Sequence, residues 1–183
     1  MVLKIASPDL PHKTEAGGVI LGLHSQHAVT AAYDQIIQSA RRYKADAHID
    51  GVLVQKMAPR GHELVVGTIN DPTFGPIVMV GLGGIMVELM GDVVHRPAPV
   101  DVREATEMLR GLRSAPLLLG FRGAQPIDLA PAATLIASLS NAAVAYRDRI
   151  DEMEFNPVIL HADGSGLTIA DALITLLPNR RRL

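Results

Sequence analysis

A short polar segment near the N-terminus (SPDLPHKTEAGG) gathers residue types that handle phosphate groups. Its last two residues are Gly17 and Gly18, and glycines let backbone N–H groups approach phosphate oxygens closely. Lys4 and Lys13 add positive charge, and His12 carries an imidazole that can accept a phosphoryl group. On the residues alone, a hairpin turn with an ordinary loop histidine explains the same pattern. A P-loop is excluded because GxxxxGK[ST] is absent.

A second polar group lies in a C-terminal hairpin whose turn has the sequence Asp-Gly-Ser-Gly. Glu154 and Asn156 are two residues apart, so in a regular strand both side chains point to one face. Asp171 comes from the strand predicted to pair with theirs. Two carboxylates and an amide are oxygen ligands suited to Mg²⁺. The alternative is a solvated sheet face, which the apolar residues after Asn156 make less attractive.

A third segment, Gly-Leu-Gly-Gly, follows an apolar strand at residues 81–84. It resembles a dinucleotide-binding fingerprint only superficially because the third glycine is missing at the required spacing. A strand-to-helix turn explains it equally well. Glu88 lies just beyond, inside an apolar run, where a carboxylate needs a partner. Arg96 is the nearest candidate for that partner.

Elements that position these residues follow from hydrophobic periodicity and turn signals. Ser25 is predicted to cap a helix, and Asp101 with Glu104 has the spacing of a capping box. Residues 96–99 are predicted to form a loop. Helices are predicted from Ser25 to Tyr43, over 105–112 and over 129–146, and strands over 2–6, 19–23, 49–57, 63–69, 77–80, 153–161 and 167–172. Several connections are too short for parallel crossovers, which favours an α+β fold with mainly antiparallel sheets.

Bulk properties exclude several classes of protein. The 183 residues contain no cysteine, which excludes disulfides and thiol chemistry. A formal net charge of −2 and only 3% aromatic residues argue against nucleic acid as a partner. The sequence shows no signal peptide and no apolar run of about 18 residues, so a cytoplasmic protein without membrane spans is expected. The arginines at 180–182 are predicted to be a solvated tail.

Together these motifs resemble the ATP-grasp domain of NDP-forming, in particular ADP-forming, acyl-CoA synthetases, which is related to the β-subunit of succinyl-CoA synthetase. The resemblance covers nearly the whole chain. It is carried by four ordered segments: VLKIASPDLPHKTEAGGV, GVLVQKMAPRGHELVVG, FGPIVMVGLGGIMVELMGDVVHR, and EFNPVIL with ADALI.

The resemblance implies roles for individual residues. In the family's scheme the first segment contacts nucleotide phosphates, and His12 corresponds to a histidine that relays a phosphoryl group. The adenine-pocket segment corresponds to Gln55, Lys56 and Met57, and an acidic position near the ribose corresponds to Glu63. Lys4, Lys13, Gly17 and Gly18 are then nucleotide-binding, while Glu154, Asn156 and Asp171 match the motifs that hold Mg²⁺, with Glu154 also a catalytic candidate.

The implied reaction is acyl-CoA + ADP + phosphate ⇌ acid + CoA + ATP, with ATP/ADP and Mg²⁺ bound here and a phosphohistidine as the intermediate. A CoA-binding and phosphohistidine partner domain or subunit is expected, and a homo-oligomer is plausible on physical grounds. We expect a partial first lobe over 1–57 that lacks its N-terminal part, a second lobe over 58–175 and a tail over 176–183. Two alternatives stay open: a regulatory ATP-grasp-like domain associated with a protein acetyltransferase, and an inactive truncated copy.

Overall fold

The computed structural model describes residues 1–83 and 91–178. The chain divides into two compact units, which we call unit 1 (Met1–Met57) and unit 2 (Ala58–Leu183). No helix among the described residues is both long and apolar enough to cross a membrane.

Unit 1 is a three-stranded antiparallel sheet with one helix. Its elements are β1 (Val2–Ala6), β2 (Val19–Ile20), α1 (Gln26–Tyr43) and β3 (Gly51–Gln55), with strand order β2-β1-β3. The odd-numbered residues of β1, Leu3 and Ile5, are each 1% exposed and pack into the core of this unit. The even-numbered Lys4 therefore lies on the opposite face of the sheet.

The helix α1 begins and packs as its sequence predicts. Ser25 is the N-cap, and its hydroxyl accepts a hydrogen bond from the Ala28 N–H at 3.2 Å. The buried residues Ala32, Ile36 and Ala40 recur at every fourth position, which gives one apolar stripe facing the sheet. This helix supplies the other half of the core that holds β1 in place.

Unit 2 is a larger antiparallel sheet with the strand order β6-β5-β4-β7-β8, in which β9 also pairs with β7. All of its strand pairs are antiparallel. The strands are β4 (Gly61–Asp71), β5 (Gly75–Leu82), β6 (Val93–Pro97), β7 (Ile150–His161), β8 (Leu167–Ile169) and β9 (Ala172–Leu176).

Helices cover one face of this sheet: α2 (Val102–Arg110), α3 (Ala115–Leu119) and α4 (Ala130–Ala145). The capping box at the start of α2 is present, because Asp101 and Glu104 bond each other's backbone N–H groups. The hydroxyl of the fully buried Ser140 on α4 accepts the Val100 N–H at 2.8 Å. The second bond ties α4 to the segment between β6 and α2.

Asp92 fastens the start of β6 to the segment between α2 and α3. Its carboxylate accepts the backbone N–H groups of Arg113 and Ser114, each at 2.8 Å, and the Ser114 hydroxyl. Burial by itself would raise the pKa of Asp92, but the hydrogen bonds from Ser114 and Arg113 outweigh it, so the pKa lies below its ordinary value.

The α+β fold with antiparallel sheets is confirmed, and four local predictions need correction. The strand predicted over 167–172 is two strands, β8 and β9, with Asp171 between them, because β7 bulges between the residues that pair with β8 and those that pair with β9. The predicted loop at 96–99 begins inside a strand, β6, which is an edge strand and therefore tolerates Pro97. The strand predicted over 19–23 ends at Ile20, since Gly22 turns the chain with a φ of 73°. The short helix α3 was not predicted. Gly84, Glu88 and the arginines at 180–182 lie outside the described residues.

Candidate functional site

His12 lies in an exposed part of the loop between β1 and β2. Leu10 and Ala16, on either side, are 1% and 3% exposed and belong to the core of unit 1. His12 itself is exposed, and its carbonyl oxygen accepts the Ala16 N–H at 3.4 Å. His12 is therefore accessible to a reaction partner, while the buried residues Leu10 and Ala16 hold the loop on both sides of it.

The two glycines of this loop have packing reasons for being glycine. Gly17 has a φ of 63°, and a Cβ there would approach Ser39 Cβ to 3.0 Å. A Cβ on Gly18 would lie 2.4 Å from Ile5 Cγ2. The Gly18 N–H donates to the Lys13 carbonyl at 2.7 Å. The structure thus shows a steric requirement that the phosphate interpretation of these glycines did not include.

A cluster of polar contacts ties the first half of the loop to the segment between α1 and β3. Asp9 Oδ2 accepts the His48 N–H at 2.6 Å, and the Ser7 hydroxyl donates to the His48 carbonyl at 2.5 Å. Lys44 Nζ lies 3.4 Å from Asp9 Oδ1. The hydrogen bond from the His48 N–H, followed by that from Lys44, lowers the pKa of Asp9.

Lys4 and Gln55 share the face of the unit 1 sheet that is opposite α1. Val2 pairs with Gln55 and Lys4 pairs with Leu53, so alternate residues of the two strands lie together. Lys4 is only 9% exposed, whereas Gln55 and the two residues after it, Lys56 and Met57, are exposed. The structure therefore brings the phosphate candidate and the start of the adenine-pocket candidate onto one face.

In unit 2, Glu154, Asn156 and Asp171 meet at a bulge in β7. Asn156 Nδ2 donates to Glu154 Oε1 at 2.9 Å. The Asn156 N–H donates to the Asp171 carbonyl at 3.1 Å, and Asp171 lies between β8 and β9. All three predicted metal-site residues are thus neighbours.

The donor atoms of this cluster fit a magnesium ion chemically. Because the Asn156 amide nitrogen bonds Glu154, the amide carbonyl oxygen is directed elsewhere and can serve as a neutral ligand. The two carboxylates provide charged oxygens, and Mg²⁺ characteristically takes one or two carboxylates and completes its shell with water and phosphate oxygens.

The strand register defines what else shares the face with Glu154. Glu154 pairs with Gly67, Gly67 with Met79, and Met79 with His95, so these four residues form a row across β7, β4, β5 and β6. The row lies on the face opposite α2 and α4, because the neighbouring positions Val66 and Val80 belong to the core under these helices. Sequence reasoning missed His95, which alternation would have placed once β6 was recognised as a strand.

The same register places two other predicted residues, Glu63 and Arg96, away from Glu154. Glu63 is exposed and pairs with Ile159; it precedes Gly67 by four residues, about 13 Å along β4 at the usual rise. Arg96 pairs with Val78 of the core, so it lies on the helix side of β6 and is not brought together with Glu154. Glu88 lies outside the described residues.

Comparison with known proteins gives the class of this domain. A family model described as an ATP-grasp domain matches residues 1–176. The β subunit of ADP-forming acetate–CoA ligase I from Pyrococcus furiosus is 40% identical over 165 residues, which are 90% of this chain and 71% of that protein. The ADP-forming 4-hydroxybutyrate–CoA ligase of Nitrosopumilus maritimus is 39% identical over 176 residues, 96% of this chain but 25% of that protein.

Solved structures with a similar fold belong to the same class of enzyme. The dinucleotide-forming acetyl-coenzyme A synthetase 1 of Ca. Korarchaeum cryptofilum, in complex with coenzyme A, Ca-AMPCP and HgCl⁺, superposes with a TM-score of 0.88 at 41% identity, covering 96% of this chain and 76% of that one. A second structure of that enzyme contains Mg-AMPPCP and a phosphohistidine segment pointing towards the nucleotide binding site; its TM-score is 0.77 at 38% identity, covering 97% and 76%. The chain belongs to the ATP-grasp family, as the ATP-grasp domain of the ADP-forming acyl-CoA synthetases, and the predicted resemblance is confirmed.

Proposed function

We propose that this chain is the nucleotide-side module of an ADP-forming acyl-CoA synthetase, binding ATP or ADP with Mg²⁺ and passing a phosphoryl group through a histidine. The observation that carries the proposal is that Glu154, Asn156 and Asp171 are neighbours at one bulge, where they offer two carboxylates and an amide oxygen. Family membership supplies the class of reaction.

Unit 1 would contribute positive charge and the phosphoryl carrier. Lys4 lies in the middle strand of its sheet and is 9% exposed, and a positive charge in such a partly desolvated place would act more strongly on a phosphate than one in bulk water. An imidazole nitrogen of His12 would attack the γ-phosphorus of ATP, forming an N–P bond while the bond to the bridging oxygen breaks and ADP leaves. The reverse step would return the phosphoryl group to ADP.

Unit 2 would hold the cation through Glu154, Asn156 and Asp171. Magnesium bound there supplies charge neutralisation for the phosphate oxygens during transfer. The Asn156–Glu154 hydrogen bond would hold two of these side chains together before a ligand binds, and the backbone bond keeps the main chain of Asp171 beside Asn156.

The acid and CoA chemistry would belong to a partner domain or subunit. This chain spans 71% of the Pyrococcus β subunit and 25% of the Nitrosopumilus ligase. The second relative thus carries much additional sequence in the same polypeptide, which supports a partner with the CoA-binding and phosphohistidine functions.

Calorimetric titration with Mg-ATP tests the cation site. The wild-type chain should bind, and Asp171→Ala should weaken binding by about tenfold or more, since losing one charged ligand removes a large share of the cation's attraction. Asp163→Ala is the matched control, because it removes another exposed carboxylate of unit 2, whose side-chain bonds go to Ser165 within the hairpin turn. Absence of binding by the wild type would contradict the proposal.

Labelling from [γ-³²P]ATP tests the carrier. We expect acid-labile, base-stable label on the wild-type chain and none on His12→Gln. The control His24→Gln removes another exposed histidine of unit 1 and should label normally. Equal labelling of His12→Gln and wild type would exclude His12 as the carrier.

A further inference from the structure

The backbone of His48 is gripped at both ends by the loop that carries His12. Its N–H is taken by the Asp9 carboxylate and its carbonyl by the Ser7 hydroxyl, at 2.6 and 2.5 Å. The Ser7 oxygen also accepts the backbone N–H of Asp9 at 3.2 Å, so the Ser7 side chain contacts both the main chain of Asp9 and that of His48. We call this arrangement the Ser7–Asp9 clamp.

The segment that the clamp holds has further contacts within unit 1. Arg41 Nη1, near the end of α1, donates to the Ala45 and Ala47 carbonyls at 3.2 and 2.7 Å. Ala47 is 1% exposed. The clamp therefore connects the loop to a segment of unit 1 that is held by the Arg41 side chain and by the buried Ala47.

Only two residues separate Asp9 of the clamp from His12. Leu10, the residue after Asp9, is buried in the core, and His12 follows two positions later. At about 3.3 Å per residue, the His12 Cα lies within about 10 Å of the Asp9 Cα along the chain. We therefore expect a change at Asp9 to alter the position of His12.

We propose that Asp9, with Ser7, is a positioning residue that holds the 7–18 loop in the conformation presenting His12 for phosphoryl transfer. This inference rests on the proposed function of His12. Asp9 touches neither substrate nor the reacting atoms; it acts through the loop. Asp9 contacts His48, Lys44 and Ser7. Because ion pairs of exposed carboxylates contribute little to the stability of the whole fold, local positioning of the loop explains these contacts better than global stabilisation does.

The test compares initial rates of labelling from [γ-³²P]ATP in the full chain. Asp9→Ala should label about tenfold more slowly than wild type, because losing a charge-assisted hydrogen bond lowers the competent loop population by roughly that factor. The Mg-ATP dissociation constant should change less than about twofold. Ser7→Ala, which leaves the carboxylate in place, should slow labelling by a few fold. Asp34→Ala removes an exposed carboxylate of α1 and should label at the wild-type rate.

Amide hydrogen exchange supplies a readout that distinguishes loop release from general unfolding. In Asp9→Ala the N–H groups of Gly17 and Gly18, bonded to Thr14 and Lys13, should exchange about tenfold faster, while the β1–β3 ladder keeps its protection. Loss of protection throughout unit 1 would show a folding defect and overturn the positioning role.

Failure of the inference and failure of the proposed function give different results. If His12→Gln loses label but Asp9→Ala labels at the wild-type rate, the clamp does not position the histidine. If His12→Gln labels like wild type, His12 is not the carrier, and the proposed function fails together with the role given to the clamp.

Discussion

The His12 loop passes so close to β1 that one methyl group at Gly18 should destabilise the fold. An added Cβ would lie 2.4 Å from Ile5 Cγ2 and 2.9 Å from the Lys13 carbonyl oxygen. Neither neighbour can easily move, because Ile5 is 1% exposed and the Lys13 oxygen accepts the Gly18 N–H. Overpacking of this kind costs about 1–3 kcal/mol, so Gly18→Ala should lower the free energy of unfolding by that amount.

Urea and thermal unfolding, followed by circular dichroism without nucleotide, measure this effect. For a chain of this size, Tm should fall by roughly 2–10 °C. A double-mutant cycle identifies the cause: in an Ile5→Ala background, Gly18→Ala should cost less, since the clashing methyl is gone. Equal costs in both backgrounds would refute the packing argument. Unchanged stability with weaker Mg-ATP binding would show that the glycine instead serves close approach to phosphate.

Two further predictions concern buried hydrogen bonds in unit 2. Ser140→Ala leaves the buried Val100 N–H without a partner and should lower the free energy of unfolding by about 1–3 kcal/mol. The control Ser138→Ala, on the exposed side of α4, should change it by less than about 0.5 kcal/mol. Similar values for both variants in urea unfolding would contradict this prediction. Asp92→Asn should cost about 1–3 kcal/mol at pH 7. Because the pKa of Asp92 is lowered in the fold, the wild-type advantage should be fully present above about pH 4 and shrink as pH falls further; a pH-independent difference would contradict it.

Much of the fold follows from local signals. Ser25 and the Asp101–Glu104 pair fixed helix starts because capping depends on a few neighbouring residues. The edge strand β6 was missed because prolines signal loops, and only the strand order shows that Pro97 sits where a ladder hydrogen bond is not needed. The five-residue helix α3 is too short to display a helical period.

The residue types of the loop between β1 and β2 were predictable from the sequence, but its long-range contacts were not. Gly18 is dictated by the side chain of Ile5, which lies on a strand thirteen residues earlier and approaches it only in the folded sheet. The Ser7–Asp9 clamp reaches His48, about forty residues away, and no periodicity encodes that contact. Contacts distant in sequence therefore decide how this loop presents its histidine.

The metal-site candidates were predicted from a spacing of two, and the structure changes the reason why that spacing works. Val66 pairs with Phe155 and Leu64 with Val158, so one residue of β4 faces two of β7. Simple alternation is broken at Asn156, and what keeps its amide beside Glu154 is their hydrogen bond. The proline at 157, which has no N–H to donate, was the sequence signal for this bulge. On the opposite edge of β7, the Asn156 N–H donates to the Asp171 carbonyl, which continues the register of β7 with β9 and links the third candidate ligand to the other two.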